Sequence, residues 1–532
     1  MTRRPWSRTL PDLVRERSAA TPDAEALVST DGERLTYAEL ELMMLQVGAG
    51  LRRRGVGSGD TVGLLAPNLI EWVPTALGVQ DLGARVAAFN TFVKPLELDY
   101  LLEHSQCSTL VVAQRVGRHN LLDVLREVLP QLWDARIWAS ERLPHLRSVV
   151  VLGDDVPPGA EAWSTLLGGA DPRPAAASAV DDAVIVYTSG STARPKAVPL
   201  AHYALVENGF AIGERMHLTA DDRVWLGSPL FWSYGVANAL MATFTHGATL
   251  VLQSDYTPQA AVDLIDRERC TAAYLLPTFL HDLANLPDDQ RPRLASLETG
   301  LTIGMPDEIE VAVALGIDGI CNIYGATEVY GNCCVTPREM PVEQRTLCQG
   351  PPLPGVELRL TDPDTGAVVL EGPAMIEVRG YTTSGYLGEP ELNEKAFTPD
   401  GWYRTGDLGN LLADGSLQFV TRATDMIKTS GINVSPAEVE AFLRTLDDVA
   451  ECVVVGAPDP YKVEVVVAFV EPAPGSSIDP DSLIQHCRRT IAAFKVPARV
   501  HVIESMPLTA TGKIARLELR RLAAESSPSM GD

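Results

Sequence analysis

Tyr187-Thr188-Ser189-Gly190-Ser191-Thr192-Ala193-Arg194-Pro195-Lys196 is the stretch on which the reading of this 532-residue chain turns. The apolar run before it, Ala183-Val184-Ile185-Val186, predicts a buried strand. Five hydroxyl side chains (Tyr187, Thr188, Ser189, Ser191, Thr192) then surround Gly190, and the stretch closes on Lys196. Small hydroxyl residues and a glycine let backbone N–H groups approach phosphate oxygens, and the lysine adds a point charge. The glycine spacing is not that of the G-x-x-x-x-G-K-[ST] phosphate loop. Taken alone, the same residues also read as a Ser/Thr-rich surface turn.

Four stretches downstream bear on that choice. Asn322-Ile323-Tyr324-Gly325-Ala326-Thr327-Glu328 follows a strand signal over 319–323. Loops at the carboxyl ends of parallel strands are where α/β folds bind ligands. A tyrosine there can stack on a base, a threonine can hydrogen-bond a phosphate, and a glutamate can hold Mg2+. The others are Gly401-Trp402-Tyr403-Arg404-Thr405-Gly406-Asp407-Leu408-Gly409, Thr421-Arg422-Ala423-Thr424-Asp425-Met426-Ile427-Lys428-Thr429-Ser430-Gly431 and Pro507-Leu508-Thr509-Ala510-Thr511-Gly512-Lys513.

Together and in this order, the five stretches resemble the adenylate-forming (AMP-binding) superfamily of acyl-CoA synthetases, peptide-synthetase adenylation domains and luciferases. The resemblance runs from Leu35-Thr36-Tyr37 to Lys513. It implies that Thr188, Ser189, Gly190, Ser191, Thr192 and Lys196 bind the nucleotide phosphates. Tyr324, beside Gly325, would stack on adenine and Asn322 would face its edge. Thr327 would meet the α-phosphate and Glu328 the metal, Mg2+. Asp407 would accept from both ribose hydroxyls, a task suited to an acceptor-only carboxylate, and Arg422 would contact ribose or phosphate. Thr424 would be the hinge, with Ser430 and Gly431 on the acceptor side. Lys513 would bridge the attacking carboxylate and the α-phosphate, offsetting charge in the transition state. The implied chemistry uses ATP to turn a carboxylic acid into an acyl-adenylate and pyrophosphate. A small C-terminal domain then swings to admit an acceptor, usually CoA.

Composition sets wider bounds. Formal net charge is −25, from 69 acidic and 44 basic residues, which disfavours a nucleic-acid or anionic-membrane binder. Eight scattered cysteines, without C-x-x-C pairs, fit reduced thiols in a cytoplasmic protein. No apolar run of about 18 residues predicts a membrane span, and the basic N-terminus has no apolar segment behind it. Only seven of the basic residues are lysines, and Lys196, Lys428 and Lys513 fall inside the stretches above.

Along the chain, helices are expected around Leu35–Leu40, and strands at Thr61–Leu65, 83–89, 108–113 and 148–152. A second β/α series has strands near 223–227, 248–253, 271–276 and 319–323. The alternation implies parallel sheets covered by helices. Residues 346–421 read as a β-rich subdomain, and a small α+β domain starts at 424, after an N-terminal domain spanning 1–423. In it, Ser435 and Glu438 suggest a capping box, and Ala523–Asp532 reads as a frayed tail. The fold class is therefore α/β: two β/α sheets plus the β-rich subdomain, then a mobile α+β domain.

The chain departs from the family pattern around substrate and acceptor. Ala193 and Ala197 replace usual glycines, Thr424 a usual aspartate or lysine, and Val463 a common glycine. Trp232 stands where many relatives carry histidine, which some benzoate-type ligases resemble in having an aromatic residue. With Ser233, Tyr234, Gly235 and Gly304 it suggests a compact or aromatic acid pocket rather than a long fatty-acyl tunnel. The expectation is an ATP-dependent aryl- or small-acyl-CoA ligase, monomeric or homodimeric. Open alternatives are transfer to a carrier protein or a non-thiol acceptor, activation of an oxyacid such as nitrite, and a non-catalytic nucleotide-binding relative.

Overall fold

A computed structural model describes residues 8–134, 139–170, 176–188, 195–287, 289–303, 306–363, 365–423, 425–429, 432–459, 462–491, 495–509 and 514–525. The chain divides into two compact units. The first comprises Met1–Leu358, Val378–Tyr403 and Leu412–Leu417; the second comprises Arg359–Glu377, Arg404–Leu411 and Gln418–Asp532.

Local signals start the first unit. Thr36 caps the helix Tyr37–Arg53: its Oγ1 accepts from Glu39 N at 3.2 Å, and Glu39 Oε2 accepts from Thr36 N at 2.8 Å. This reciprocal pair satisfies two amides that no helical carbonyl can reach. The apolar runs become strands. Among the described residues, one sheet runs Lys196–Ala201, Asp182–Thr188, Arg85–Ala88, Thr61–Leu65, Thr109–Ala113, Ser148–Leu152, Glu161–Ala162. Its neighbours are parallel except for the Asp182–Thr188/Lys196–Ala201 hairpin.

A second sheet runs Cys334–Val335, Gly319–Tyr324, Thr299–Thr302, Ala272–Leu275, Arg223–Leu226, Thr249–Leu252, Glu25–Val28, Arg34–Thr36. Its interior neighbours are parallel. Trp225, Ala273, Leu275 and Ile320 face a core that also takes Leu264 and Ile265, Leu280 and Leu283, and Ile309 and Ala312 from three helices. Each buried leucine or isoleucine among them contributes about 1.5–3 kcal/mol by leaving water. Parallel strands bring their carboxyl ends to one edge, which leads into Ser228–Gly235 and into the Gly325–Glu328 loop.

A five-stranded sheet runs Val368–Val369, Glu357–Thr361, Ala374–Arg379, Tyr403–Leu411, Leu417–Arg422, and most of it counts with the second unit. Later in that unit, Val463–Pro472 pairs antiparallel with Val449–Asp459 and parallel with Arg499–Val502. Its two faces bury separate cores, one around Val454, Val466 and Leu483, the other around Val453, Phe469 and Leu519.

Two local expectations are corrected. Ser435 does precede the helix Pro436–Arg444, but its side chain makes no capping hydrogen bond. Nor is Ala523 frayed: the helix Arg516–Glu525 carries it, and it is fully buried.

Candidate active site

Thr188 and Lys196 lie opposite each other in the antiparallel ladder, as do Tyr187 and Ala197. The mouth of the phosphate stretch is therefore strand, not turn. Ser189, Gly190, Ser191 and Thr192 lie outside the described residues.

Lys196 Nζ stands 5.0 Å from the centroid of the Tyr386 ring, within cation–π range. The Tyr386 hydroxyl donates to Glu328 Oε1 at 2.7 Å. Burial and the nearby carboxylate push the Tyr386 hydroxyl's pKa up, so it remains a donor. The chain around Tyr386 is fixed to the same wall: Thr383 N donates to Glu328 O at 2.8 Å, and Leu387 N to Ala197 O at 3.0 Å. Thr383 Oγ1 donates to Pro199 O at 2.7 Å. Tyr386 had no motif to mark it. Its partner is 58 positions away in sequence, a relation no local spacing records.

Thr327 Oγ1 donates to Ser233 Oγ at 3.1 Å, which brings a phosphate candidate against a substrate-pocket candidate. Below them, Asn238 Nδ2 donates to Ser233 O at 2.9 Å. Asn238 lies in a single π-helical turn, Tyr234–Ala239. Such turns are rare and frequently sit at functional sites. A Cβ on Gly325 would come within 2.1 Å of the Gly331 carbonyl, so only glycine lets the Thr327–Glu328 turn fold back this closely.

The pocket candidates differ in their surroundings. Trp232 is half-buried and meets Phe231 edge-on at 5.8 Å between centroids. Tyr234 is buried, and its hydroxyl donates to Leu301 O at 2.8 Å, anchoring the π-turn to the sheet. Gly235 has no room for a side chain, since a Cβ would stand 2.4 Å from Pro229 O. Gly304 lies outside the described residues.

The adenine candidates are more enclosed than their assigned roles suggest. Asn322 is fully buried, and its Nδ2 donates to Arg345 O at 3.0 Å and Cys348 O at 3.1 Å. The amide thus ties the strand end to a following segment. Tyr324 is also buried, paired with Cys334 in the ladder.

In the second unit, Arg422 Nε lies 3.3 Å from Asp407 Oδ1, joining the ribose candidate to its basic neighbour. Arg422 is mostly exposed and Asp407 buried. Thr424, Ser430, Gly431 and Lys513 lie outside the described residues. A bridge between Leu508 and Ile514 brackets the Lys513 segment.

Among the described residues, no group of three or more His, Cys, Asp or Glu side chains could hold a metal ion. Mg2+ needs no such cage, because one or two carboxylates plus phosphate oxygens and waters suffice. Glu328 fits that mode: one oxygen is oriented by Tyr386, leaving the other for a cation. All eight cysteines are buried free thiols. No described helix is long and apolar enough to cross a membrane.

Residues 14–387 match the model of the AMP-binding enzyme family, and residues 438–513 that of the AMP-binding enzyme C-terminal domain. The putative acyl-CoA synthetase YngI of Bacillus subtilis (strain 168) is 31% identical, over 97% of each chain. The human mitochondrial medium-chain acyl-CoA ligase ACSF2 is 31% identical, over 97% of this chain and 87% of its own. Among solved structures, the anthranilate CoA ligase AuaEII in complex with anthranoyl-AMP superposes with a TM-score of 0.85 at 27% identity, covering 98% of both chains. The chain belongs to the AMP-binding enzyme family and is an adenylate-forming enzyme of the acyl-CoA synthetase type.

Proposed function

We propose that this enzyme activates an aromatic or small carboxylic acid with Mg·ATP and transfers the acyl group to CoA. The observation that carries the reading is one connected set, Lys196–Tyr386–Glu328 with Thr327–Ser233, at the carboxyl edge of parallel strands. Lys196 supplies charge for the phosphates and Thr327 a donor for the α-phosphate. Glu328 would hold Mg2+, which when bound neutralises phosphate charge. A substrate carboxylate oxygen attacks the α-phosphorus, the bond to the bridging oxygen breaks, and pyrophosphate leaves. Lys513 would offset the charge that develops between them. The CoA thiolate then attacks the acyl carbon and AMP departs.

Asp407 and Arg422 would hold the ribose, and rotation about Thr424, between an N-terminal domain 1–423 and a C-terminal domain 424–532, would exchange the two half-reactions. The aromatic reading is supported by Trp232, set edge-on to Phe231. A second reading, a medium-chain acid, is favoured by the likeness to ACSF2. The buried free thiols support a reducing, cytoplasmic location.

The test is kcat/KM for pyrophosphate release on benzoates, short-chain acids, C8–C12 acids and nitrite, each with and without CoA, with products read by mass spectrometry. A benzoate or short-chain thioester is the expected result. Preference for C8–C12 acids supports the second reading. Release indifferent to CoA moves the acyl group to a carrier protein or non-thiol acceptor.

A further inference from the structure

The helix Pro95–Ser105 has no part in the chemistry above, yet two of its side chains end on the phosphate hairpin. Tyr100 Oη donates at 3.2 Å to the carbonyl of Pro195, the residue before Lys196. His104 Nδ1 lies 3.2 Å from the hydroxyl of Tyr187, the residue before Thr188. Residues four apart share one helix face, so this pair reaches both legs of the hairpin. Their rings stand 5.2 Å apart.

Donor and acceptor roles follow from the surroundings. Burial pushes the Tyr187 hydroxyl's pKa up, so the phenol keeps its proton. Burial pushes the His104 imidazole's pKa down, which favours the neutral ring, and its Nε2 faces the residue after Leu387, 3.8 Å from where a Cβ on Gly388 would stand. A neutral imidazole accepts at one nitrogen and donates at the other. The proton that Tyr187 keeps can be given to Nδ1 in the tautomer that carries its own proton on Nε2. Leu387 follows Tyr386, and its own N–H donates to Ala197 O at 3.0 Å.

We infer that His104 is a positioning residue for ATP, setting the gap between the Thr188–Lys196 mouth and the wall formed by Tyr386 and Glu328. It acts through its hydrogen bond to Tyr187 and through its place beside Gly388, the residue after Leu387. The inference rests on the hairpin being the phosphate site. It adds a residue, 83 positions before Tyr187 in the chain, that no phosphate motif contains.

The experiment is calorimetric titration of Mg·ATP into the full chain, which needs no knowledge of the acid, with a thermal melt of each protein. His104→Phe keeps a ring against Tyr100 and Tyr187 but removes both polar atoms. It should weaken ATP binding about tenfold, the effect of one lost hydrogen bond, with little change in melting midpoint. His104→Gln, which retains an acceptor and a donor, should recover most of that loss. Tyr187→Phe should resemble His104→Phe, and the double variant should be no weaker than the worse single one. Unchanged ATP affinity in His104→Phe overturns the inference. So does a loss that tracks a lower melting midpoint, that His104→Gln fails to recover, or that adds fully to the loss in Tyr187→Phe. A wild type that binds no ATP overturns the phosphate-site reading and the inference together.

Discussion

At the scale of single residues, the proposed chemistry depends on how one carboxylate is held. Glu328 takes its orientation from the Tyr386 hydroxyl, and the same ring faces Lys196. Tyr386→Phe separates the two contacts, since a phenylalanine ring still faces the ammonium while the hydroxyl is gone. A hydrogen bond to a charged group contributes about 1.5–3 kcal/mol, so kcat/KM for pyrophosphate release should fall about 10- to 100-fold without a comparable loss of stability. An unchanged rate would show that Glu328 needs no such support. His202 governs a different property. It is almost wholly buried, accepts from Leu10 N at 3.2 Å, and burial lowers its pKa from 6.5 to about 4. The unfolded chain therefore takes up the proton first, and stability falls as pH drops from about 6.5 towards 4. Between pH 7.5 and 5 this group should remove about 2 kcal/mol. Urea midpoints at both values should show a smaller acid loss in His202→Gln than in the wild type.

At the scale of elements, legibility followed locality. Thr36 and Glu39 are three apart, and their capping box stands as a four-residue pattern allows. Ser435 has an equally suitable neighbour but makes no capping bond, because residue type permits a cap without supplying its geometry. The strand Thr299–Thr302 was not foreseen: Thr-Gly-Leu-Thr is no apolar run, and parallel partners on both sides make it a strand. Motifs marked Glu328 and Lys196, whereas Tyr386, Asn238 and His104 make contacts between distant segments, Asn238 by donating to Tyr330 O. The π-turn is likewise a tertiary feature, with Tyr234 tied to Leu301 O and Gly235 pressed on Pro229 O. Gly235→Ala should therefore cost about 1–3 kcal/mol from overpacking. The displaced Ser233 should also weaken acid binding, seen as a higher KM for the acid than for ATP. Equal KM changes, or none, would detach the π-turn from the acid pocket.

At the scale of the whole molecule, family membership and the two β/α sheets were legible because five stretches recur in a fixed order over nearly the full chain. The identity of the acid was not, because a pocket wall is assembled from side chains that only folding brings together, such as Ser233 and Thr327 beside the π-turn. In the proposed reaction an acyl-adenylate forms first and is discharged afterwards. The most direct measurement is mass spectrometry of enzyme incubated with Mg·ATP and the acid panel without CoA, followed by addition of CoA. An acyl-AMP should appear, convert to a thioester and AMP, and form about 10²–10³ times more slowly in Lys513→Ala. Formation of ADP and phosphate, or no nucleotide turnover with any acid, would contradict the proposed reaction.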